Sequence, residues 1–216
     1  MADVYQVQGY TVNNDFVTLQ IIYVGPGRPL FNLQRRIVGA PSSAWITVIP
    51  NVAEFTLYTD HNVASGINYE YRARTLSGST SHNTVQVQVD LEGTYIHDIR
   101  DPMNTFHQFR FDGGGSRNEE YERHREFINY VETPLPEVKF GDFVSRSKQV
   151  ELLLTQEDKV ALERILRLRR PVMYRDKRGT KIHGLVSGSI ESTSSGGFWR
   201  SQITVRETDF NEDRSA

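Results

Sequence analysis

The stretch YTDHNVASGINYEYRART, residues 58 to 75, sets an acid beside a histidine and then places three tyrosines around a Gly-Ile-Asn turn. Two readings compete for it. Asp60 and His61 could open a metal or catalytic site, or the whole passage could be the corner of a β-sandwich. A metal site needs several ligands converging from different parts of the chain. The segments on either side of the pair carry core and corner residues instead, so Asp60 and His61 read as a solvated turn pair. The neighbouring sequence supports the corner. VYQVQGYTV (4–12), FVTLQIIYV (16–24), FNLQRRIV (31–38), AWITVI (44–49), EFTLYTD (54–60), NYEYRART (68–75) and TVQVQVDL (84–91) are short β-rich runs. Separators such as GPGRP, GAPSS and SGSTSHN supply turn residues, and this spacing predicts an all-β sandwich. In the last run Val85, Val87 and Val89 alternate with Gln86, Gln88 and Asp90, as a half-buried strand requires.

The bulk properties narrow the function classes. A chain of 216 residues holds one large or two small domains. With 25 basic and 27 acidic residues the formal charge is −2, which argues against a generic polyanion binder or sequence-specific nucleic-acid reader. There is no cysteine, so disulfides, thiolate zinc and thiol catalysis are excluded. The start, MADVYQVQGYTV, lacks the pattern of a secretory leader, and no apolar run is long enough for a membrane helix. Lysine is absent before Lys139, and most of the charge lies beyond residue 92, a shift that suggests a domain boundary.

Beyond that boundary the pattern is mixed. Ser116 and Glu119 form a capping-box pattern ahead of EEYERHREFINYV (119–131), where Tyr121, His124, Phe127, Ile128 and Val131 share a helical face, so a helix is predicted there. KQVELLL (148–154) reads as a strand. Thr155 and Asp158 cap a second helix in QEDKVALERILRLRR (156–170), striped by Ala161, Leu162, Ile165, Leu166 and Leu168 and stopping before Pro171. PVMYRDKRGTKIHGLV (171–186) predicts two strands joined at Asp176 to Gly179, and GFWRSQITVRETD (197–209) a closing strand. The expected fold is therefore mainly β. A sandwich over residues 1–91 precedes an α+β domain over 92–210, with an antiparallel sheet and two helices, and 211–216 form a polar tail.

FNLQRRIVG (31–39), EFTLYTDHNVASGINYEYRARTLSG (54–78) and TVQVQVDL (84–91) together resemble a fibronectin type III domain of the kind common in bacteriophage tail proteins. The resemblance implies that Tyr69 forms a tyrosine corner, its hydroxyl bonding back to backbone a few residues upstream, with Tyr71 pointing the same way. The chain departs from that family at VTLQIIY (17–23), where a tryptophan is common. TYIHDIRDPMNT (94–105), residues 141–190 and FWRSQITVRETDF (198–210) resemble a domain that follows such a module in minor tail proteins of phages infecting actinobacteria. The shared features are Leu162 and Leu166 on an acidic helix, Arg170-Pro171, the turn from Arg175 to Gly179, and Gly184 to Val186. The order of elements is also similar to distal-tail and tail-tube proteins, which assemble into rings by edge pairing.

Several groups could carry chemistry. His97, Asp98, Asp101 and His107 are the richest local set for a divalent ion, and would be the centre of a metal-assisted hydrolase. The same residues also read as an Asx turn at a domain junction. DGGGS (112–116) lacks the ending of a phosphate-binding loop, and no nucleophile elbow is present. Six basic residues fall within RLRRPVMYRDKRG: Arg167, Arg169, Arg170, Arg175, Lys177 and Arg178. They are candidate subunit-interface residues or, in the plainer reading, a solvated helix face and hairpin with Glu163 pairing Arg167. Trp45, Tyr58 and Trp199 are candidates for stacking on sugar rings.

No catalytic, cofactor-binding or metal residue is assigned. The resemblance implies a non-enzymatic structural protein of a phage tail tip or baseplate, made in the host cytoplasm and carried in the virion. It would form a homo-oligomeric ring at the end of the tail tube and dock a baseplate hub, while the N-terminal domain touches the host surface. The alternative is a carbohydrate-binding accessory module that recognises host cell wall.

Overall fold

The computed structural model describes residues 4–12, 15–24, 29–53, 55, 57–79, 83–102, 105–108, 117–128, 137–192 and 197–214. Two compact units emerge. The first comprises Met1–Thr94, Arg175–Lys181 and Phe210–Ala216, and the second Tyr95–Tyr174 and Ile182–Asp209.

In the first unit seven strands occupy the seven β-rich runs: β1 (Val4–Val12), β2 (Phe16–Val24), β3 (Phe31–Ile37), β4 (Ile46–Val52), β5 (Leu57–Asp60), β6 (Asn68–Thr75) and β7 (Val85–Gln88). They form a three-stranded sheet in the order β1-β2-β5 and a four-stranded sheet in the order β4-β3-β6-β7. All their pairings are antiparallel. Alternation explains the core between them. Val17, Leu19, Ile21 and Tyr23 of β2 are buried, as are Phe31 and Leu33 of β3, Tyr69, Tyr71 and Ala73 of β6, and Val87 of β7. Burying each such side chain contributes roughly 1.5–3 kcal/mol. The stretch from 58 to 75 covers β5, the corner and β6. At the corner the Ser65 hydroxyl accepts from the Leu91 N–H and the Gly66 N–H donates to the Val89 carbonyl.

The second unit is built on a seven-stranded sheet in the order β10-β11-β14-β13-β12-β8-β9. Its strands are β8 (Thr94–Asp98), β9 (Thr105–Gln108), β10 (Arg117–Ile128), β11 (Glu137–Leu154), β12 (Val172–Asp176), β13 (Lys181–Ser192) and β14 (Trp199–Glu207). Helix α1 (Gln156–Leu166) packs on it. Leu162 and Ile165 of α1 enter a core with Val150, Leu152 and Leu154 of β11 and Ile203 and Val205 of β14. The start of α1 follows the predicted capping box: the Asp158 N–H donates to the Thr155 hydroxyl, and the Thr155 N–H to the Asp158 carboxylate. The helix ends at Leu166, four residues before the predicted stop: the Leu168 N–H turns back to the Ile165 carbonyl, and Arg169 then adopts a positive φ of 50° ahead of Pro171. The turn at Asp176 to Gly179 forms as predicted. Asp176 accepts from the Arg178 and Thr180 N–H groups, and Gly179 takes the φ of 83° that a side chain disfavours.

The prediction of two helices is corrected. Residues 117–128 form strand β10, and α1 is the one α-helix among the described residues. Antiparallel pairing with β11 runs from Arg117↔Val150 to Ile128↔Glu137, interrupted by one irregularity between Arg123 and Arg125. The helical periodicity of this segment is a local preference, and a long non-local ladder overrides it. Glu119, read as the third residue of a capping box, instead accepts from Arg146 and Lys148 on the neighbouring strand, each at 3.0 Å. Burial alone would raise its carboxyl, but those two cations hold it down at about 2. Ser116, the other half of that box, and the loop at 112–116 lie outside the described residues.

One close approach gives a test. A Cβ on Gly184 of β13 would lie 2.0 Å from the Arg206 carbonyl oxygen of β14, so only glycine fits this part of the ladder. Gly184→Ala should destabilise the protein by roughly 1–3 kcal/mol through overpacking against backbone. Urea denaturation of both proteins measures this; an unchanged midpoint would contradict the close approach.

Candidate functional site

Strand β3 carries its inward face through Phe31, Leu33 and Arg35, so alternation drives an arginine into the sandwich core, where it is only 2 % exposed. A buried guanidinium costs several kcal/mol unless it is paired and hydrogen-bonded. Asp60, at the end of β5 in the opposite sheet, supplies that partner. Arg35 Nη1 donates to Asp60 Oδ2 at 2.6 Å and to the Asn62 carbonyl at 3.1 Å. Asp60 Oδ2 also accepts from the Tyr71 hydroxyl at 3.1 Å, and its Oδ1 accepts from the Asn62 N–H at 2.9 Å. Arg35 lies over the Tyr69 ring, 4.9 Å from its centroid, and the Tyr69 hydroxyl accepts from the Ala64 N–H at 3.1 Å.

Residues remote in sequence complete the cluster within the same unit. Arg35 Nη2 donates to Glu212 Oε2 at 2.6 Å, and Lys181 Nζ donates to Glu212 Oε1 at 2.6 Å and to the Asn62 carbonyl at 3.3 Å. These charges line a cavity of about 220 Å³, whose other walls include Ile37, Ala40, Ala44 and Ile46. The site therefore joins an ion-paired floor to apolar sides. What it can do chemically is hold a carboxylate between a guanidinium and an ammonium, the task Glu212 performs.

The electrostatics follow from burial and pairing. Burial pushes the Asp60 carboxyl up, yet Arg35, the Asn62 N–H and Tyr71 together hold it below the ordinary carboxylate value. Burial, reinforced by the adjacent Asp60 charge, pushes the Tyr71 phenol well up, so it remains a donor. Burial lowers the Lys181 ammonium, partly offset by Glu212. His61 is half-buried with its ring 4.9 Å from that of Phe16, and burial followed by the nearby Arg175 charge lowers it. The two residues read from sequence as a solvated pair thus separate: Asp60 is 4 % exposed and central to the core.

Arg35 was legible in principle, since it shares parity with Phe31 and Leu33. No local pattern points to Lys181 or Glu212. Of the six basic interface candidates, Arg167, Arg169 and Arg170 belong to the second unit and Arg175, Lys177 and Arg178 to the first. Arg167, Arg169, Lys177 and Arg178 are exposed, and Arg167 pairs with Glu163 at 3.5 Å. Arg170 is half-buried and donates to the buried Asp98 carboxylate. Arg175 is buried, its guanidinium donating to the Asp15 and Val63 carbonyls at 2.8 and 3.2 Å.

Around His97, it is Asp98 that makes an Asx turn, by accepting from the Arg100 N–H, where the turn was expected to start at Asp101–Pro102; Asp101 is exposed, and the His107 ring stacks on Tyr95 at 3.7 Å. Among the described residues no three His, Asp or Glu side chains gather as a metal site would require. The aromatic candidates have close polar neighbours. Trp45 has the guanidinium groups of Arg36 and Arg72 over its ring at 4.6 and 4.2 Å, and Trp199 has Lys159 at 3.8 Å. The Tyr58 hydroxyl accepts from the Ala53 N–H. Comparison with known proteins found no family model and no curated protein that matches this chain.

The Arg35–Asp60 pair yields a prediction with a defined sign. Because Asp60 titrates lower folded than its ordinary value of 3.8, its stabilisation is present above that value and is lost as the pH falls through the lower folded one. Asp60→Ala should cost about 3–5 kcal/mol at neutral pH by removing the buried carboxylate that pairs Arg35 Nη1, which leaves only Glu212 and the Asn62 carbonyl on the guanidinium. The gap between variant and parent should narrow in acid. Thermal melts from pH 7 to pH 2 read both effects, and a pH-independent gap would contradict the assignment.

Proposed function

We propose that this chain is a non-enzymatic structural component of a bacteriophage tail tip or baseplate, a minor tail or distal-tail protein that assembles into a ring at the end of the tail tube. Its first unit is read as a fibronectin type III-like sandwich. The three-plus-four strand arrangement, and the Tyr69 hydroxyl bonding back to Ala64, support that reading. The second unit is read as the assembly domain.

The observation that carries the assembly half of the proposal is the length of β11. It has 18 residues, yet among the described residues β14 pairs only with Ser147–Leu154. Among the described residues Glu137–Arg146 pair with β10 and no other strand, forming a two-stranded ribbon roughly 30 Å long at the usual rise per residue. An isolated two-stranded ribbon is marginal in water, and its open edges are ready-made templates for another strand. Copies of the chain in a ring would supply such strands. Arg167, Arg169, Lys177 and Arg178 are exposed and would face acidic surfaces on tube and hub proteins, while the sandwich would meet the host surface.

The deciding experiment is localisation in intact particles of the phage that encodes the chain. Mass spectrometry of purified virions should find it at a small fixed copy number, and gold-labelled antibodies should mark one end of the tail. Its absence from the particle would end this reading.

A further inference from the structure

The alternation that sends Tyr69, Tyr71 and Ala73 of β6 into the core turns Glu70, Arg72 and Arg74 to the outer face of the four-stranded sheet. On β3 the same rule turns Gln34 and Arg36 outward, and the ladder sets Gln34 opposite Arg72 and Arg36 opposite Glu70. Trp45, just ahead of β4, lies against this face, with the Arg36 and Arg72 guanidinium groups 4.6 and 4.2 Å from its ring centroid. Each arginine is held by its inner nitrogen. Arg36 Nε donates to Glu70, Arg72 Nε to Gln34 Oε1 at 2.8 Å, and Arg74 Nε to the Gly78 carbonyl at 3.3 Å. Among the described residues Glu70 is the one carboxylate paired with any of the three, and the terminal nitrogens of Arg72 and Arg74 make no hydrogen bond. Like charges therefore crowd here without full compensation. Partial burial and then the charges of Arg74 and Arg36 lower the Arg72 guanidinium below its ordinary value.

We propose that this outer face of the four-stranded sheet binds an acidic polysaccharide, its carboxylates taken by the terminal nitrogens of Arg72 and Arg74 and its hydroxyls by the amides of Gln86 and Gln88. Charge complementarity favours an anion, since three guanidinium groups face one carboxylate, and the planar fork of arginine matches a carboxylate in particular. Gln86 and Gln88 are exposed on β7, the next strand, where an amide can both donate to and accept from a hydroxyl. A protein partner would call for an apolar centre to the contact, and the outward positions of β3, β6 and β7 carry none. Trp45 serves by fixing Arg36 and Arg72 over its ring, which presents their charges in a set geometry. The inference deepens the reading of the first unit as the part that meets the host surface, and rests on that reading for the source of the polymer.

Isothermal titration calorimetry of the full chain tests it, with polygalacturonate as the probe and the methyl-esterified polymer, which has the same sugars without their charges, as the control. The protein should bind the acid form at least tenfold more tightly than the ester. Arg72→Gln and Arg74→Gln should each weaken binding about tenfold, as expected for loss of a hydrogen bond to a charged group. Arg178→Gln, which removes an exposed arginine from the turn after β12, should leave binding unchanged. Arg74 is exposed, so its variant keeps the test open should Arg72→Gln melt early. No binding to the acid form, equal binding to the ester, undiminished binding by Arg74→Gln, or an equal loss in Arg178→Gln would overturn the proposal. So would tighter binding to single-stranded DNA or to polyglutamate than to polygalacturonate. The measurement uses purified protein, so its failure leaves the localisation of the chain in virions to be judged separately.

Discussion

An arginine at an inward position of a β-sandwich is the constraint on which the first unit depends. Arg35 follows Phe31 and Leu33 into the core, and a charge there must be met by an opposite charge and by acceptors for its remaining N–H groups. Asp60 answers from the other sheet, so the ion pair ties β3 to β5 across the sandwich. Asn62 contributes through its backbone, its N–H to Asp60 and its carbonyl to Arg35 and Lys181. That geometry explains the corner sequence. Asp60, Asn62, Tyr69 and Tyr71 are close together in the chain because all four surround one guanidinium.

The second unit is organised differently, by backbone rather than by charge. Leu162 and Ile165 of α1 and alternating apolar residues of β11 and β14 fill its core. Gly184 allows β13 and β14 to approach where no side chain would fit. The ion pairs here, such as Arg167 with Glu163, are mostly at the surface, where each contributes little. Two buried charges depart from this: Asp98, met by Arg170, and Lys148, paired with Glu119.

The basic block between residues 167 and 178 illustrates how one run of like residues divides its work. Arg175 is spent on backbone carbonyls inside the first unit, and Arg170 on Asp98, whereas Arg167, Arg169, Lys177 and Arg178 keep their charges at the surface. Position makes the distinction: every residue of β12, Arg175 included, is buried, whereas Lys177 and Arg178 in the turn are exposed.

Much of the fold was legible because strand alternation, turn residues and the Thr155–Asp158 cap are local. Each of the seven β-rich runs before residue 92 became a strand, and the hairpin at Asp176 to Gly179 formed where its turn chemistry predicted. The helix predicted over 119–131 is replaced by strand β10 as far as Ile128, since its local periodicity competes with pairing to a strand whose partners are up to 33 residues away at Arg117↔Val150. The site was legible only in part. Asp60 stood out in the sequence but for the wrong reason, its exposure being decided by Arg35 25 residues earlier. Glu212 lies 177 residues from Arg35, and nothing short of the folded chain brings the two together. The amino-acid sequence by itself determined the strands before residue 92, the turn at Asp176 to Gly179 and the start of α1, because those depend on neighbours along the chain. Only the tertiary structure decided which charges are buried and what they hold, because a charge is compensated by whatever the fold places beside it.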